Sequence, residues 1–113
     1  MQKQPLLSLL LVLMVLGVGA LTLIAFQREG AGLFDIFVGN ILAGGWNGQF
    51  NADFASYLGL SGLWIMWRNR FTPASIILAI AAMIIGIILF APYLMYLLNK
   101  EQGDLKKVLV GDR

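Results

Sequence analysis

Apolar residues run almost unbroken from Leu6 to Phe26, with Ser8 and Thr22 as the polar members, and the run stops at Gln27-Arg28-Glu29-Gly30. About 20 residues at a rise of 1.5 Å each cross a hydrocarbon core about 30 Å thick, so 6–26 is predicted as a first transmembrane helix. Lys3 ahead of the run and Val18-Gly19-Ala20 within it also resemble a signal peptide with its cleavage site. The run continues through Leu21, Leu23, Ile24 and Phe26, past that site, and the segment is expected to stay attached.

A shorter apolar stretch, 33–43, is interrupted by Asp35 and Asn40. Leu33, Phe34, Phe37, Val38, Ile41 and Leu42 share one side of a helix and the two polar residues lie off it, which suits a helix lying in the membrane interface. A re-entrant segment is the alternative. Gly44-Gly45-Trp46-Asn47-Gly48 then reads as a turn. A second span is predicted over 50–67, with Asn51 as N-cap, Asp53 in the first turn, and Trp64, Trp67, Arg68 and Arg70 marking the opposite interface. After a short turn, Asn69 to Pro73, a third span covers 74–98, with Pro92 in its last third. Proline there has no N–H to give the carbonyl of Ile88, which predicts a kink. The tail, 99–113, mixes charge with Leu105, Val108, Leu109 and Val110 and reads as a surface segment.

The pattern thus predicts an all-α integral membrane protein with three transmembrane helices and one short interfacial helix in a single domain. Composition agrees: 59% of the 113 residues are hydrophobic and 12% charged, with a mean hydropathy of +0.82. A chain this short has too little interior to hide that much apolar surface from water. Cysteine and histidine are both absent, which removes disulfides, thiolate and imidazole metal ligands, a cysteine nucleophile and the commonest neutral-pH base. No cofactor and no enzymatic activity are expected. The formal net charge of +2 is spread over short segments, as topology signals and headgroup contacts require, and nucleic acid is not an expected partner.

Arg28-Glu29-Gly30, Asp35-Ile36-Phe37, Ala52-Asp53-Phe54 opening a span, and the closing Phe90-Ala91-Pro92-Tyr93-Leu94-Met95-Tyr96-Leu97 together resemble a family of short bacterial membrane proteins known only as a domain of unknown function. The resemblance covers about Arg28 to Leu98. It implies a three-span protein and no activity, and the bacterial inner membrane is the expected location. This chain has Ala91-Pro92-Tyr93-Leu94 where the family carries Leu-Pro-Leu-Phe.

Two sets of residues are candidates for function. Asp53, Tyr57 and Ser61 recur every four residues and form a polar line on the second span. Beside the functional reading stands a structural one, in which Asp53 complements the positive end of its helix. Ala52, Ser56, Gly59 and Gly62 on the second span, and Ser75, Ala79, Ala82 and Gly86 on the third, step at three and four residues. Such small-residue stripes let helices approach closely in lipid. Two function classes follow. One is a non-catalytic membrane protein packing in a homo-oligomer or as an accessory subunit of a membrane complex. The other handles a small ligand, a lipid or protons along Asp53, Tyr57 and Ser61.

With three spans, the amino terminus and the Arg68–Pro73 turn share one side, while Arg28, Asp53 and the tail share the other. Lys3, Arg68 and Arg70 then oppose Arg28, Lys100, Lys106, Lys107 and Arg113, so counting charges pulls both ways. The first helix and the tight turn favour a cytoplasmic Arg68–Pro73 turn.

Overall fold

A computed structural model describes residues 4–112, and all of its regular structure is helical. The elements are α1 (Pro5–Glu29), α2 (Leu33–Ala43), α3 (Trp46–Arg68), α4 (Pro73–Ile85), α5 (Ile87–Lys100) and α6 (Leu105–Val110). Lys3 and Arg113, both used in the charge count, lie outside the described residues.

Helix α1 opens with Pro5, whose fixed φ suits the first turn, and ends where Gly30 takes φ 70 and returns its N–H to Phe26 O at 3.0 Å. Among the described residues it is the helix long and apolar enough to cross a membrane, and almost none of its apolar stretch is covered by the rest of the chain. The short helix α2 has the predicted bounds. It packs on the start of α3, where Gly48 meets the backbone of Asn40 and Ile41: a Cβ there would lie 2.8 Å from Ile41 Cα. Helix α3 begins at Trp46, four residues earlier than predicted, so Asn51 is inside the helix and does not cap it. Its amide donates instead to Phe37 O, 3.2 Å away, tying α3 to α2.

The predicted third span is two helices. At Gly86 the backbone turns to φ 84, ψ −143, ending α4 and starting α5, and neither half has the length to cross about 30 Å. The main break lies here and not at Pro92, which α5 carries within it. The two halves form a hairpin. Ala74, Ser75 and Leu78 of α4 line the same groove as Tyr93, Tyr96 and Leu97 of α5, so the chain leaves the Arg68 end along α4 and returns to it along α5. Ser75, Ala79, Ala82 and Gly86, one face of α4, are all buried, and Met83 side-chain atoms stand 2.7 Å from where a Cβ on Gly62 would lie. Small residues on both sides therefore bring α3 and α4 together. Helix α5 packs along the first half of α1 through Leu11, Ala91, Leu97 and Leu98.

The hairpin also relocates the tail. On a continuous third span, residues 99–113 belong at the end opposite Arg68; here Gln4 donates to Gly103 O at 3.0 Å and α6 lies against the end of α3. The start of α1, the α3–α4 turn and α6 form one end of the molecule. Arg28, Glu29, α2 and the start of α3 form the other.

Candidate functional site

Helix α3 ends in Arg68, a cation whose side chain is 4% exposed. A buried guanidinium is tolerated only if its donors are met. Here Nε donates to Val108 O, one terminal nitrogen donates to Lys107 O and Glu101 Oε2, each at 3.1 Å, and the other donates to Asn69 Oδ1 at 3.1 Å. Two of these acceptors are carbonyls of α6, so Arg68 straps the tail to the end of α3. Trp64, one turn earlier, repeats the device: its indole N–H donates to Leu109 O at 2.8 Å. Its ring packs edge-on to Phe90 (5.7 Å) and Tyr93 (6.3 Å), joining α3, α5 and α6. Asn69 completes the network, its amide donating to Ile65 O and the Tyr93 hydroxyl, both at 2.8 Å. No buried side-chain nitrogen or oxygen among the described residues lacks a partner.

Around this network lies a groove. A polar part of about 230 Å³ is lined by Arg68, Arg70, Thr72, Lys100, Glu101 and Asp112. A second part, about 170 Å³, shares Arg68, Asn69, Thr72 and Lys100 with it and continues between α4 and α5 past Leu78, Tyr93, Tyr96 and Leu97. The turn that forms its lip holds two consecutive non-glycine residues in the left-handed region, Arg70 (φ 59) and Phe71 (φ 57), pinned by Phe71 N–H donating to Met66 O at 2.7 Å.

The polar line singled out from the sequence lies elsewhere. Asp53 and Tyr57 are exposed on the first half of α3, and half-buried Ser61 donates to Leu58 O of its own helix at 2.7 Å. No other described element brings an ion pair or side-chain hydrogen bond to these three among those resolved. The small-residue stripes divide. Ser75, Ala79, Ala82, Gly86 and Gly62 lie inside the α3–α4–α5 packing, whereas Ala52, Ser56 and Gly59 are exposed, with nothing within 4 Å of a Cβ placed on Gly59.

Sequence reasoning missed Arg68 as a tether by placing it among headgroup contacts. A signal was available in the tail: Asp104, whose carboxylate accepts from Lys107 N–H at 3.3 Å, is a helix-capping type of residue, and Leu105 and Val108 follow at helical spacing. Val108 is 3% exposed, as befits a helix that docks. No protein-family model, curated protein or solved structure matches this chain.

Proposed function

We propose that this is a non-catalytic integral membrane protein that works by packing against other membrane helices, first of all a second copy of itself. In this reading α1 and α3 cross the bilayer, the α4–α5 hairpin enters from one side and returns to it, and α2 rests at the opposite interface. The length and apolar character of α1 support the first crossing. Helix α3 has 23 residues, enough for the second, although its opening turns carry Asn47, Gln49, Asn51 and Asp53. The hairpin's polar backbone break at Gly86 is buried against Phe54 and Leu58 of α3, the condition under which non-helical backbone is tolerated at depth. The resemblance of Arg28–Leu98 to short bacterial membrane proteins favours the bacterial inner membrane.

The observation that carries the packing role is the uncovered stripe Ala52, Ser56 and Gly59. Ser56 donates to Ala52 O within its helix at 3.0 Å, so the face offers a smooth, polarity-satisfied surface to a neighbour. Because the chain has no native thiol, Gly59→Cys reports directly on that face. Oxidation in membranes is expected to join two copies through Cys at 59 and not through Ala82→Cys, which is buried within one copy. Absence of a cross-link at 59, with a monomeric mass on gentle extraction, would leave the stripe facing lipid and remove the basis for self-association. Cross-linking to a different protein would make this chain an accessory subunit.

A further inference from the structure

We infer that the groove at the Arg68 end binds the phosphodiester headgroup of an anionic lipid, an inference that rests on the membrane reading above. The groove is graded. Its outer part is charged, and its inner part runs between the hairpin arms over Leu78, Tyr93, Tyr96 and Leu97. That sequence of surfaces fits an amphiphile, with the phosphate at the lip and the acyl chains along the arms, better than it fits a free ion. A volume of about 230 Å³ falls below the ~300–1,000 Å³ usual for drug-sized ligands and suits one headgroup.

The charges decide the sign of the ligand. Arg68 is consumed by its own bonds and paired with Glu101 at 3.1 Å, which neutralises both. Arg70 and Lys100 remain, and neither has an ion pair or side-chain hydrogen bond among the described residues. Among the described residues, one carboxylate, Asp112, stands against these two cations and leaves a positive excess at the lip. Thr72 brings a hydroxyl to the same lip, and Tyr96 brings an exposed ring to the inner part. Two cations without a partner in one groove favour an anionic over a zwitterionic headgroup, so losing both is expected to weaken that contact about tenfold.

The test uses the full chain in neutral detergent, titrated separately with dioctanoyl-phosphatidylglycerol, dioctanoyl-phosphatidylcholine and inorganic phosphate, with bound species counted by native mass spectrometry. Saturable binding of one phosphatidylglycerol is expected, weakened about tenfold or more in Arg70→Gln/Lys100→Gln and strengthened in Asp112→Asn. Thermal unfolding without lipid should be the same for all three proteins, which separates loss of the site from loss of the fold. Lipid binding that ignores all of these substitutions would be annular and would overturn the inference. Inorganic phosphate binding as tightly as phosphatidylglycerol would make this a free-anion site and overturn the lipid assignment. Carbonate washing of native membranes keeps the two readings apart: release of the chain overturns the membrane reading, whereas retention without substitution-sensitive lipid binding overturns this inference alone.

Discussion

Arg68 and Gly59 show how two residues of similar apparent standing in a sequence can differ in consequence. Removing a buried, hydrogen-bonded guanidinium takes the donors it supplies from Glu101 and the carbonyl of Val108, while Lys107 O keeps the Gly111 N–H at 2.8 Å, and each buried acceptor left unmet costs about 1–3 kcal/mol. Arg68→Met is therefore expected to lower the thermal unfolding temperature in detergent sharply. Glu101→Gln should lower it as well, though less: glutamine retains an acceptor oxygen, while the 4% exposed guanidinium loses its counter-charge. Equal, small effects from both would mean that the network does not hold α6 in place. Gly59→Leu inserts a bulky side chain where nothing lies within 4 Å, so monomer stability should be unchanged. Ala82→Leu, at a fully buried position, should cost about 1–3 kcal/mol through overpacking. Unfolding curves of this pair separate the covered part of the small-residue pattern from the uncovered part.

The hairpin α4–α5 depends on Gly86 more than on any other single position. Its φ 84, ψ −143 lies in a region that is essentially glycine's alone and that costs an L-residue about 1–3 kcal/mol, while the nearest atoms to a Cβ, on Phe54 and Leu58, stand at 3.7 and 3.8 Å and would tolerate it. Gly86→Ala is thus expected to destabilise by that conformational amount alone, visible as a modest loss of unfolding temperature. A large loss would point to steric conflict instead. The helices themselves were legible in the apolar runs: α1 and α2 appear nearly where the periodicity places them. The hairpin was not. Met83-Ile84-Ile85-Gly86-Ile87-Ile88 reads as uninterrupted span, because one glycine in an apolar run is compatible with a continuing helix, and Pro92 offers the more conspicuous place for a bend. What distinguishes Gly86 is a positive φ at a buried position beside Phe54 and Leu58, which only the tertiary structure displays. The groove was equally hidden, since its lining comes from segments that only the hairpin brings together.

The arrangement of charge over the molecule follows from that one turn. Of the Lys and Arg among the described residues, Arg68, Arg70, Lys100, Lys106 and Lys107 all belong to the end that holds α6, and Arg28 alone belongs to the other, with Glu29, Asp35 and Asp53. The ambiguity in the charge count came from placing the tail across the bilayer from Arg68. With the tail beside Arg68, the same rule points one way, and under the proposed membrane reading it predicts a cytoplasmic position for that end. Single cysteines at exposed Ala74, Lys106 and Ala31 test this. An impermeant thiol reagent on intact cells should label Ala31→Cys and spare both Ala74→Cys and Lys106→Cys. Three full crossings would instead place Ala74 and Lys106 on opposite sides and label one of them.

The strap between Arg68 and α6 also sets an order of events in time. Helices α2 with α3, and α3 with α4, are joined by short turns and meet as neighbours, whereas the bonds of Arg68 to Glu101, Lys107 and Val108 close over 33 to 40 residues. Contacts between distant residues form late, because the loop must be closed before they repay it. Under the proposed membrane reading, the guanidinium therefore stands for an interval during assembly at the membrane edge, with water and headgroups as its partners. It exchanges them for backbone carbonyls only when the hairpin has turned back and brought α6 home.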